Sequence, residues 1–89
     1  MARYYFDFYD GAQRVHDDEG SEFDSLDVAM QAAARSATEI GTSWLARGET
    51  SDVIIEVRDE QNQRVGTVTA SMVIKQHVSR PQEPHPWSA

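Results

Sequence analysis

The chain contains no cysteine, which removes disulfides, thiolate metal sites and a cysteine nucleophile. Bases are scarce. Eight Lys and Arg stand against fifteen Asp and Glu, for a formal net charge of -7. A surface built for phosphates or an anionic bilayer needs the opposite balance, so neither a nucleic-acid nor a membrane partner is expected. No apolar run approaches the ~20 residues needed to span a bilayer. Residues 1–10 have neither the basic nor the apolar region of a secretion signal, so none is expected there. All three prolines fall late, at Pro81, Pro84 and Pro86. With 89 residues, 39% of them hydrophobic, the chain is long enough for one small domain and too apolar for a disordered one.

What is present reads as two hairpins around a helix. Arg3-Tyr4-Tyr5-Phe6-Asp7-Phe8-Tyr9 is rich in aromatics and alternates, with Tyr4, Phe6 and Phe8 on one face and Arg3, Tyr5, Asp7 and Tyr9 on the other. Asp10-Gly11 signals a turn, and residues 13–17 read as a weaker second strand. The polar stretch 17–22 is read as a connection, with Phe23 tucked back onto the core. Asp24 or Ser25 caps a helix expected over residues 25–47, because Leu26, Met30, Ala33, Ala37, Ile40 and Trp44 recur every three or four positions. Gly48 suits the C′ position. Gly41 either permits close packing or marks an earlier end.

Val53-Ile54-Ile55-Glu56-Val57-Arg58 is the third strand, and residues 64–74 its partner across a polar loop. The fold class expected is α+β: a ββαββ chain whose two hairpins form an antiparallel sheet of about four strands, in the order 2-1-3-4, with one long helix on one face. Residues 1–74 make this domain, and residues 75–89 a Pro-containing mobile tail.

The opening Arg3-Tyr4-Tyr5-Phe6-Asp7-Phe8, then Asp10-Gly11, Asp17-Asp18-Glu19-Gly20, Glu22-Phe23, an Ala-rich helix and Glu56-Val57-Arg58-Asp59-Glu60 resemble a family of small bacterial proteins. These are common in rhizobia and grouped as a domain of unknown function. The resemblance spans about residues 2–74 and implies a bacterial, cytoplasmic setting. A weaker similarity is to HicB-type antitoxins, which also run from a Tyr-Tyr strand through a hairpin into an Ala-rich helix. It implies a partner-neutralising role.

The candidate sites are few. Residues 7–27 carry eight acids and one arginine, and Asp17, Asp18, Glu19 and Glu22 form an acidic patch. A divalent cation would want such oxygens, but the spacing misses the EF-hand loop: Val28, not an acid, stands at the twelfth position from Asp17. The patch is therefore read as a solvated loop with no metal. His16 beside these acids has the makings of a general base, yet no nucleophile elbow, phosphate loop or metal-spaced His pair accompanies it. No catalysis and no cofactor are expected, and an enzyme centred on His16 is the lesser alternative. Tyr5, Tyr9, Ile54, Glu56 and Arg58 fall together on the sheet face away from the helix. Aromatics there can stack bases, but Asp7 and Glu56 repel phosphate, so a protein contact is favoured. The helix stripe is read as core rather than coiled-coil seam, and Pro81-Gln82-Glu83-Pro84 as a chance match to a polyproline ligand. The functional expectation is a small acidic binding or regulatory module acting through protein contacts. One form of it is a homodimer through the open face, with Arg58 reaching an acid of the second copy. The alternative is an antitoxin-like protein that neutralises a basic partner.

Overall fold

In the computed structural model, residues 1–11, 13–48, 52–73 and 77 are described. The chain runs β1 (Ala2–Tyr9), β2 (Arg14–Val15), β3 (Ser21–Phe23), α1 (Leu26–Ala46), β4 (Val53–Arg58) and β5 (Arg64–Ala70). The strands form one antiparallel sheet in the order β2-β1-β4-β5, with β3 also on β1. This is the expected α+β fold and strand order with one strand added. The expected tail over 75–89 lies, apart from His77, outside the described residues.

The added strand comes from the outer edge of β1. Phe8 pairs with Val15, and Tyr4 pairs with Ser21. Three residues of β1, Tyr5 to Asp7, therefore face five on the outer chain, 16–20. The chain bulges there and returns to the ladder, so the expected second strand over 13–17 shrinks to two residues and β3 appears beyond it. At the other end of the sheet the expected strand over 64–74 stops at Ala70. Ala70 pairs with Val53, the first residue of β4, and of the described residues that follow, 71–73 lie outside the ladder.

The helix forms where the apolar period says it should. Ser25 is its N-cap, with the hydroxyl accepting from the Val28 N–H at 3.2 Å. Gly48, at φ +82°, takes the left-handed conformation that ends it. Its fully buried line is Ala29, Ala33, Ala37 and Gly41, spaced by four. These small residues let the helix axis approach Val53, Ile55 and Val57 of β4, which are buried beneath it. Larger side chains flank the line: Leu26, Met30, Ile40 and Trp44 from the helix, and Tyr4, Phe6 and Phe8 from β1. Phe23 stacks on Phe6 at 5.5 Å, as the sequence suggests, and Trp44 meets Phe8 edge-on at 5.8 Å. Gly41 is the close-packing case, since a Cβ there would touch the Met72 side chain at 3.2 Å. Gly66 does the same on β5, leaving the room that the Met30 thioether occupies. Among the described residues no helix is long and apolar enough to cross a membrane.

Candidate functional site

Strand alternation puts Tyr5, Asp7 and Tyr9 of β1 and Ile54, Glu56 and Arg58 of β4 on the face the helix does not cover. All five residues expected there (Tyr5, Tyr9, Ile54, Glu56 and Arg58) share it, although not as a bare apolar patch. Val65, which plain alternation along β5 would put on the same face, packs against the core instead, because the register slips between Val57 and Arg58 and turns it inward.

The centre of the face is an ion pair. Arg58 donates from Nε to Asp7 Oδ2 at 2.6 Å and from Nη2 to Asp7 Oδ1 at 3.0 Å, a two-point contact. Asp7 is buried, and both side chains are largely shielded, at 7% and 14% exposure. Arg58 also donates to the Asp17 carbonyl at 2.9 Å and, through Nη1, to Asn62 Oδ1 at 2.7 Å. Asn62 is in position because the β4–β5 turn closes on Asp59, whose Oδ1 accepts from the N–H groups of Gln61 and Gln63. Asn62 itself adopts φ +63°, a conformation Asn tolerates well. The Arg58 guanidinium lies 5.0 Å from the centre of the Tyr5 ring. Arg58 is thus engaged on every side within its own chain, which removes the reason for expecting it to reach an acid of a second copy.

Asp17 organises the bulge. Its carboxylate accepts from three backbone N–H groups, those of Phe6 (3.0 Å), Glu19 (3.1 Å) and Gly20 (3.0 Å). Its own N–H donates to Asp7 Oδ1 at 3.0 Å. Of the acidic patch, then, Asp17 is half-buried and structural, while Asp18, Glu19 and Glu22 are exposed. Burial pushes both carboxyls up, but other contacts outweigh it. Arg58 and the Asp17 N–H bring Asp7 below its ordinary value, and the three N–H donors do the same for Asp17. Asp7 in turn raises the Arg58 guanidinium. Sequence reading misses the roles of Asp7 and Asp17. One available signal is an acid set between Phe6 and Phe8 in an otherwise apolar strand.

Gly20 closes the bulge at φ +67°. A Cβ there would come within 2.8 Å of the Tyr4 carbonyl and 2.9 Å of the Tyr5 ring. Gly20→Ala is expected to destabilise the fold by about 2–3 kcal/mol, combining left-handed strain with an overlap against immobile backbone. Urea denaturation measures it, and an unchanged midpoint would mean the bulge closes another way.

His16 projects beside the ion pair, with Nδ1 3.3 Å from Asp7 Oδ1 and Nε2 3.3 Å from Arg58 Nη2. Since guanidinium only donates, the fitting tautomer carries its proton on Nδ1 and accepts at Nε2. Around this group opens a shallow concavity of about 290 Å³, whose wall is completed by Tyr9, Arg14, Glu56 and Arg64. Arg14 stacks on Tyr9 at 5.1 Å and has no carboxylate partner among the described residues. Arg64 meets Glu56 through Nε at 2.6 Å, and its side chain is otherwise exposed. The wall holds no Ser, Thr or Cys. Among the described residues no three His, Cys, Asp or Glu side chains converge as metal ligands.

Comparison with known families gives a match. The profile of a domain of unknown function, DUF6894, covers residues 3–71. The chain belongs to this family. The matched stretch of the DUF6894 domain runs from the start of β1 to just past β5 and so includes the ion pair, the bulge and the concavity. No curated protein and no solved structure matches the chain, and neither search adds to the likeness to HicB-type antitoxins.

Proposed function

We propose that this DUF6894 domain is a non-enzymatic binding module whose uncovered sheet face docks a protein partner, with an acidic group of that partner seated at Arg14 and Arg64. The observation that carries this reading is the concavity built around the Asp7–Arg58 pair. Its central groups are fixed by hydrogen bonds from three separate segments, so little ordering remains to be done on binding. Arg58 is consumed in that scaffold. Within the wall of the concavity Arg14 and the outer part of Arg64 are the cations left to meet a ligand, on a protein whose net charge is -7. Tyr9 beneath Arg14 and Ile54 beside it add the apolar and aromatic contact favoured at interface centres. The lack of a Ser, Thr or Cys in the wall, and of converging metal ligands among the described residues, supports binding rather than chemistry.

Arg14→Glu tests it. Arg14 is exposed on a two-residue edge strand, so the fold should be unaffected. Capture from native extract on the wild-type chain, read by mass spectrometry, is expected to return a partner that the Arg14→Glu chain binds about tenfold more weakly, the loss of ~1.4 kcal/mol at an interface cation. Equal capture by both chains would overturn the reading.

A further inference from the structure

The two edges of the sheet are built differently. A free edge exposes a row of N–H and C=O groups that another chain can join, and proteins usually guard it with charge, proline, bulges or very short strands. The outer edge of β1 is guarded in this way. Its strands have two and three residues, the bulge at Asp17 interrupts them, and Asp18, Glu19 and Glu22 stand exposed along it. The β5 edge is not. It is seven residues long and pairs with β4 alone among the described residues. Val65-Gly66-Thr67-Val68-Thr69-Ala70 has no charge and no proline. Its one register irregularity lies at its start, opposite Val57 and Arg58.

We propose that the β5 edge is a homodimer interface, with β5 of a second copy pairing antiparallel to it about a twofold axis so that the sheet runs on through both copies. A strand laid antiparallel to itself is self-complementary under such an axis, and the closed twofold dimer leaves no further β5 edge to extend. The β-branched residues Thr67, Val68 and Thr69 sit at the middle of the strand, where the two copies would cross and pair side by side.

Charge selects this edge and this occupant. The exposed acids of the guarded edge, Asp18, Glu19 and Glu22, lie across the sheet, three strands away at ~4.8 Å per strand. In the dimer the two acidic edges therefore face outward, about 30 Å apart and well beyond the ~8 Å screening length at physiological salt. Joining two copies by the β1 side would set those edges against each other. The helix fits as well. It packs over β4 and β5, so the twofold places the two helices side by side at about 10 Å, the spacing of packed helices. Thr42 contacts Met72 just past β5, and Ala34 and Thr38 continue that flank at intervals of four with small, exposed side chains.

Sedimentation equilibrium of the full chain, from micromolar upward, tests the proposal. Wild type is expected to be a dimer. The pair Thr67→Lys, Thr69→Lys places charges on exposed edge positions, which folded strands tolerate, and should yield a monomer with unchanged circular dichroism. Arg14→Glu, on the far side of the sheet, should remain a dimer. Amide exchange on wild type supplies a reading free of substitutions: residues 65–70 should slow as concentration rises. A wild-type chain that stays monomeric, a dimer that survives both lysines, or concentration-dependent protection confined to β2 and β3 would each overturn it.

Discussion

Replacing Arg58 by methionine is expected to cost about 3–5 kcal/mol, the typical penalty for removing one partner of a buried ion pair. The loss exceeds that of a surface pair because Asp7 is buried and would keep its charge with only His16 and one backbone N–H beside it. The Asp17 carbonyl and Asn62 would also lose their donor, loosening the bulge and the β4–β5 turn together. Urea denaturation followed by circular dichroism gives the number, and a loss below about 1 kcal/mol would mean the pair behaves as an exposed one. Changing both partners, Asp7→Leu with Arg58→Met, should recover part of the loss because no charge is then left stranded. Acid adds a second signature. Asp7 and Asp17 both titrate below the ordinary 3.8, so the folded chain binds these protons more weakly than the unfolded one. Their contribution is complete above that value and drains away as pH falls through the lower folded values. In Arg58→Met the Asp7 share of this loss should move to higher pH.

Elements with a strong period are legible in the sequence, and those made by single hydrogen bonds are not. The aromatic alternation of β1 and the three-and-four spacing of α1 report which side chains turn inward, so the core of Phe6, Phe8, Leu26, Met30, Ile40, Ile55 and Val57 can be read directly. Helix caps follow too, because Ser25 and Gly48 act on their immediate neighbours. The bulge has no such pattern. It exists because one carboxylate, Asp17, satisfies N–H groups from both sides of a gap, and β3 depends on it. Asp7 and Arg58 sit 51 positions apart, and opposite residues on β1 and β4 are Asp7 with Glu56 and Tyr5 with Arg58. The pair is a diagonal contact, which needs the register as well as the strand order. For the same reason the open face can be assigned its residues from sequence, while its character, charged and internally satisfied rather than apolar, cannot.

Phe6→Ala is the core counterpart to the Arg58 change, with an expected loss of about 3 kcal/mol, at the low end for a truncated aromatic because the ring keeps some exposure. Phe6 stands in mid-strand opposite Val57, which is fully buried, and its ring stacks on Phe23 at 5.5 Å with the planes 15° apart. Removing it opens a cavity in the core and strips Phe23 of its stacked partner, leaving only the tilted Tyr4 ring at 6.3 Å. Phe23 ends β3, so that short strand would lose much of its apolar anchor while the hydrogen bond from the Phe6 N–H to the Asp17 carboxylate, which uses only the backbone of residue 6, would survive. The consequences should therefore separate. Global stability falls, since about 3 kcal/mol is a large share of the 5–15 typical of a whole domain. Amide exchange at residues 21–23 rises more than at Glu19 and Gly20, which Asp17 still holds. A Phe6→Ala chain melting within a few degrees of wild type would mean that the inward face of β1 carries less of the core than the packing of Phe6, Phe8 and Phe23 indicates.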